Sequence, residues 1–259
     1  MIDSGYVLAG ALTGFLVGMT GVGGGALMTP ILLIIFGVSP STAIATDLWF
    51  AAITKAFGAR IHCTHGNVDW QVAKRLWLGS LPTSLLIVII VSSGVQVTKV
   101  GWLTNVIGVV VLITAIGLLV APKILTYSLI RRKTEPEYFK ASQPALTVVS
   151  GVILGLCVAL TSVGAGALGS VFLLYLYPFR MTPHHLVATD IVHAIPLAVV
   201  AGLGYLIADM VNGWILANLL VGSIPAVVIG SMVARRVNGR WIQIALAIVL
   251  IAASVKLMR

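Results

Sequence analysis

Charge is what this sequence has least of. Asp, Glu, Lys and Arg make up 9% of its 259 residues, where a soluble domain carries about 25%. So few charges cannot cover a globule that faces water. That excludes an ordinary cytosolic enzyme, a nucleic-acid-binding domain and a disordered chain. Cysteine is nearly missing too, with Cys63 and Cys157 alone. This pair has no CxxC spacing and makes no disulfide framework. Both lie in or beside apolar stretches, where free cysteine behaves as a small hydrophobe. The first 46 residues hold one charge, Asp3, and no basic segment of the kind that opens a cleavable signal; the start is expected to be a mature membrane segment. GxxxxGK[ST], HExxH and GxSxG do not occur, so nothing points to a nucleotide-driven pump or a hydrolase. No catalytic residue, cofactor or metal is expected. The histidines His62, His65, His184 and His185 lack a convergent third ligand.

What is present is apolar. Hydrophobic residues make up 59% of the chain and glycine contributes 27 residues. Runs without a charge cover 4–46, 76–98, 100–122, 141–179, 191–208, 210–234 and 241–255. A bilayer-spanning helix needs about 20 residues. Runs 76–98, 100–122 and 210–234 are one span each, and 241–255 extends to Met258 with Lys256 snorkelling. Runs 4–46 and 141–179 are too long for one span. Each has a break rich in small residues, Gly21-Val22-Gly23-Gly24-Gly25 in the first and Ser162-Val163-Gly164-Ala165-Gly166 in the second. Glycine costs a helix about 1 kcal/mol against alanine. The first run therefore reads as helices at 5–19 and 25–37, the second as helices at 144–160 and 166–178. The returning arms are short, which favours half-helices that turn back near mid-membrane. Pro40 and Pro183 open two further helices, reaching about His62 and Leu206.

The halves repeat. Gly14–Leu27 (GFLVGMTGVGGGAL) matches Gly155–Leu168 (GLCVALTSVGAGAL), Ala45-Thr46-Asp47 matches Ala188-Thr189-Asp190, and Gly79-Ser80-Leu81-Pro82 matches Gly222-Ser223-Ile224-Pro225. Each repeat is a broken-helix hairpin plus three spans. Three is odd, so the second copy should be upside down. Basic residues agree: Lys55, Arg60, Lys74 and Arg75 flank one loop of the first copy, while its counterpart near 203–213 has only Asp209. The next loop reverses the bias, with Lys99 in the first copy and Arg235, Arg236 and Arg240 in the second. Positive-inside then places 60–75, 123–143, Arg180 and 235–240 in the cytoplasm. The expected fold is an all-α polytopic membrane protein of two inverted repeats, 1–122 and 144–259, joined by a cytoplasmic connector at 123–143. Trp70, Trp77, Trp102, Trp214 and Trp241 read as interfacial anchors.

A half-helix that begins inside the membrane exposes backbone N–H groups and the positive end of its dipole. Two such ends facing one cavity make an anion site that needs no basic side chain. The candidate substrate residues are Thr20, Gly21, Gly23, Gly24 and Gly25 in the first copy and Thr161, Ser162, Gly164 and Gly166 in the second. Gly10, Gly14 and Gly18, spaced by four, read instead as a close-packing face. Asp47 and Asp190 occupy matching intramembrane positions, where an acid is a functional candidate. Each either carries a coupling proton or cation, or bonds to neighbouring backbone. His193, on the face of Asp190, either relays protons or only packs. Lys55 is expected to snorkel or to meet lipid phosphate.

GFLVGMTGVGGGALMTPIL at 14–32, ATD at 45–47, GNVDW at 66–70, GSLP at 79–82 and the degenerate second copy together resemble the sulfite exporter TauE/SafE family of membrane transporters, over essentially the whole chain. The resemblance implies a prokaryotic inner-membrane permease for sulfite, organosulfonates or other organic anions. The function expected is secondary transport by alternating access, coupled to a proton gradient, with an anion channel as the alternative. The expected partners are a small anion and the bilayer, not nucleic acid; a homodimer stays open.

Overall fold

The computed structural model describes residues 3–20, 25–62, 68–92, 102–134, 136–233 and 239–258. Among them the chain forms ten helices and no strand: α1 (Ser4–Thr20), α2 (Gly25–Ile34), α3 (Pro40–His62), α4 (Trp70–Ser92), α5 (Trp102–Thr134), α6 (Pro136–Thr161), α7 (Ala167–Leu176), α8 (Pro183–Ile207), α9 (Gly213–Val233) and α10 (Gly239–Leu257). Five of them hold stretches long and apolar enough to cross a membrane. The returning arms α2 and α7 have ten residues each, about 15 Å at 1.5 Å per residue, which is half a hydrocarbon layer.

Local chemistry sets these ends. Ser39 and Thr182 stand before Pro40 and Pro183 and accept from the N–H of Thr42 and His185, the usual capping chemistry ahead of a first-turn proline. Asp69 caps α4 by accepting from Val72 N–H, and Asn212 caps α9 by accepting from Ile215 N–H. Gly37 stops α2 with φ +62°, and Val38 N–H reaches back to the Leu32 carbonyl, a glycine-dependent helix stop. The caps recur at matching places in the two halves.

Helix pairing obeys the same exchange. α1 packs on α9 as α6 packs on α4, α3 on α9 as α8 on α4, and α5 on α7 as α10 on α2; α3 meets α8, and α5 meets α10. The closest approaches are glycine-built. A Cβ on Gly10, Gly14 or Gly18 of α1 would strike the backbone of Leu219, Ser223 or Val227 of α9. One on Gly151 or Gly155 of α6 would strike Leu76 or Ser80 of α4. Both registers ascend together, so these pairs run parallel. The four-residue glycine spacing is thus a packing face. α3 and α8 cross the other way, with Trp49 against Gly202 and Lys55 against Asp190.

Two readings are refined. Residues 123–134 and 136–143, read as the connector, continue α5 and α6 as helix; Pro122 sits inside α5 without ending it. Trp77 is not an interfacial anchor alone. Its indole N–H donates to the His193 carbonyl at 3.2 Å, in the turn that Pro196 loosens by lacking an N–H. Trp70 and Trp214 are exposed, as anchors should be.

Candidate functional site

The matching ATD triplets lie on the crossing helices α3 and α8, and each residue of the triplet has a task. Both alanines are fully buried. Thr46 Oγ1 accepts the backbone N–H of Asn212, and Thr189 Oγ1 accepts that of Asp69. Each threonine thus holds the first residue before a long helix of the opposite half. Asp47 and Asp190 point inward and are 0% and 1% exposed.

The surroundings of the two acids differ. Asp47 Oδ2 accepts from Thr29 Oγ1 of α2 at 2.5 Å. The Ser162 hydroxyl of the second break lies beside the same carboxyl without hydrogen-bond geometry. Asp190 Oδ2 faces Lys55 Nζ at 3.4 Å. Its Oδ1 lies against the head of α7, 2.6 Å from where a Cβ on Gly169 would sit. Among the described residues, Oδ1 of each acid and Nδ1 of His193 have no hydrogen-bond partner. His193 Nε2 meets Ser80 Oγ at 3.0 Å. Thr54 of α3 meets Ser223 of α9 at 3.2 Å. Lys55 is 4% exposed, so it does not snorkel: its ammonium is compensated inside the protein. Sequence reasoning missed this role of Lys55, and it missed Thr29. The signal available was the lysine's place deep in α3, in a chain with buried acids needing compensation.

The second break sits beside this cluster. Ser162 (φ 59°) and Gly164 (φ 113°) turn the chain between α6 and α7 in left-handed backbone. Thr161 Oγ1 donates to Cys157 O and accepts from Val163 N–H. Thr20 Oγ1 donates to Leu16 O. In this conformation both threonine protons are spent on their own helix ends. Gly166 precedes α7 without a side-chain cap, and Gly164 O accepts from Leu168 and Gly169 N–H. Gly21, Gly23 and Gly24 lie outside the described residues; Gly25 begins α2. Cys63 and His65 also lie outside them. Among the described residues no three His, Cys, Asp or Glu side chains converge on a metal position.

A cavity of about 210 Å³ lies at the breaks, lined by Thr20, Ala26 and Leu27 of the first hairpin, Ala167 of the second, and Leu186 and Val187 of α8, with Gln243 of α10 on one wall. Asp190 is one turn beyond Leu186 on α8, and its carboxyl lies against Gly169, on the same first turn of α7 as Ala167. Thr161, Ala43 and Ile44, which match Thr20, Leu186 and Val187 in the other half, are 0% exposed.

Fold and site together define a multi-pass membrane protein with a buried, partly charged centre between two helix breaks. The family described as "Sulfite exporter TauE/SafE" matches residues 6–257. A "Probable membrane transporter protein YjnA" of Bacillus subtilis is 35% identical over 257 residues, 97% of this chain and 98% of the relative. A "Probable membrane transporter protein YdhB" of the same organism is 26% identical, covering 87% of each chain. A "Probable membrane transporter protein" of Haemophilus influenzae is 24% identical over 80% of this chain and 74% of its own. No solved structure matches. The chain belongs to the TauE/SafE sulfite exporter family, a family of membrane transporters.

Proposed function

We propose that this chain moves a small anion across a prokaryotic plasma membrane by alternating access, together with a proton. The halves 1–122 and 144–259 would stand in opposite orientations, joined on the cytoplasmic side by 123–143. The swapped loop charges support this, and so does the antiparallel crossing of the matching helices α3 and α8. Substrate would sit between Thr20–Gly25 and Thr161–Gly166, with Asp47, Asp190 and His193 available for coupling. Its class, sulfite or another sulfur-containing or organic anion, follows the family's description.

The unequal surroundings of matching residues carry the reading. In two halves with the same caps and pairings, Thr20 and Val187 line open space while Thr161 and Ile44 are sealed. A transporter with inverted repeats reaches its second state by exchanging the two local arrangements. A continuous pore would open both sides at once. By the positive-inside rule the start of α8, next to Arg180, is cytoplasmic, so the open side is the inner one.

Purified protein in proteoliposomes, alkaline inside and acidic outside, tests this. Sulfite, sulfate, ethanesulfonate and acetate serve as the panel. At least one should accumulate inside beyond its level in protein-free vesicles, up to about tenfold per pH unit, since each unit stores about 1.36 kcal/mol per proton. Flux that only equilibrates would replace transport with the channel alternative.

A further inference from the structure

We propose that Lys55 is the group that receives the substrate's negative charge, in exchange for Asp190, which then takes up the proton. The inference rests on the transporter reading above and assigns roles within it that no repeat or motif marks: the position matching Lys55 in the second half is Ala198.

The geometry is that of a replaceable partner. Lys55 and Asp190 are 4% and 1% exposed and meet through one contact, Nζ to Oδ2, at 3.4 Å. Charge-assisted hydrogen bonds close to about 2.7–2.9 Å, so this pair is loose. The ammonium has three donors, and among the described residues one is engaged. Asp190 Oδ1 has no hydrogen-bond partner among them and lies against Gly169 at the head of α7. Leu186, one turn earlier on α8, lines the cavity. The carboxylate therefore occupies the ground just beyond the cavity floor, between an ammonium and a half-helix start. Both features attract an anion, and Asp190 is the anion of the resting state.

Charge conservation then dictates the coupling. The buried pair is neutral. An anion added to it alone would leave an uncompensated negative charge in a dry interior, which is prohibitive. The exchange that keeps the centre neutral starts from Lys55–NH₃⁺ paired with Asp190–COO⁻, plus the anion and one proton from cavity water. It ends with Lys55–NH₃⁺ paired with the anion, and Asp190–COOH. One ion contact breaks and one forms, and one O–H bond breaks in hydronium of the cavity water as one forms on Asp190; the charges sum to zero on both sides for a monovalent anion. Release reverses the step, so anion and proton leave together. The other groups around the pair are Asp47 of α3, held by Thr29 of α2 and near Ser162; His193 of α8, held by Ser80 of α4; and the Thr54–Ser223 contact between α3 and α9. Asp47 and His193 are within reach of the Lys55 charge and make no ion pair with it.

Counterflow of labelled ethanesulfonate in proteoliposomes tests the exchange, because a sulfonate keeps its charge across the physiological pH range. Lys55→Met should cut counterflow by about 100-fold, the scale for deleting one member of a buried charge pair, and Lys55→Arg should restore most of it. In wild type the apparent affinity should weaken by up to about tenfold per pH unit as the proton becomes scarce, and in Asp190→Asn by less than about twofold. The double variant Lys55→Met/Asp190→Asn leaves no orphaned charge, so it covers the case in which Lys55→Met alone fails to fold; once monodisperse in detergent, it should be as inactive as Lys55→Met. A folded Lys55→Met or double variant within about threefold of wild type overturns the proposal, as does an unchanged pH slope in Asp190→Asn, while net transport by wild type stands. Wild type that moves none of sulfite, sulfate, ethanesulfonate and acetate overturns the transporter reading itself, and this exchange with it.

Discussion

Asp47 and Asp190 stand at matching places in two like halves, yet their company differs. Asp47 is held by a hydroxyl of its own hairpin, Thr29, while Asp190 is held by an ammonium from the other half, Lys55. The residue matching Thr29 is Ser170, which turns to its own helix and donates to Gly166 O at 2.6 Å. Met28, which matches Gly169, is fully buried, whereas the Asp190 carboxyl lies where a Cβ on Gly169 would sit. A duplicated frame has therefore kept its caps and clasps while its two acids have diverged. What is shared serves the fold, and what differs is where distinct roles for binding and coupling have room to arise.

The comparison can be broken most forcefully at Lys55. Lys55→Met leaves Asp190 buried without its counter-charge and should cost about 3–5 kcal/mol, whereas the double variant with Asp190→Asn should regain most of it; unfolding midpoints in detergent measure both. At the hydroxyl level, Thr29→Val should cost about 1–3 kcal/mol by stripping Asp47 of its donor. Ser170→Ala, its counterpart, should stay within about 0.5 kcal/mol, because only a local helix bond is lost. Equal costs would mean that the two acids are not differently held. Modest and equal effects belong to the shared frame. Thr46→Val and Thr189→Val should each cost about 1 kcal/mol and match one another within about 0.5 kcal/mol, since each removes one acceptor from a cap of the opposite half.

Much of the frame was legible because it is written locally. Ser39-Pro40 and Thr182-Pro183 announce helix starts, the small-residue run at 162–166 announces a break, and the shared triplets announce the repeat. The four-residue glycine spacing announced a packing face and became one, parallel and backbone-close. The continuation of helix through 123–134 and 136–143 was hidden because charge and Pro122 look like a terminus, although neither prevents a helix from running on. The Lys55–Asp190 pair was hidden for a deeper reason. Its members are 135 positions apart on helices that cross only in the folded state, and the repeat gives Lys55 no twin. Thr29 was masked in the same way, as one polar residue within an apolar arm.

Alternating use of the two sides has its most direct test in a pair of single-cysteine proteins, Ile44→Cys and Val187→Cys, made in a background without Cys63 and Cys157. Their alkylation by a membrane-impermeant thiol reagent is compared with and without the transported anion. Val187→Cys should react from the cytoplasmic side in the resting state and Ile44→Cys should be protected, and any condition that raises one reactivity should lower the other in proportion. Simultaneous reactivity of both positions, unaffected by the anion, would contradict alternating access and leave a continuous pore in its place.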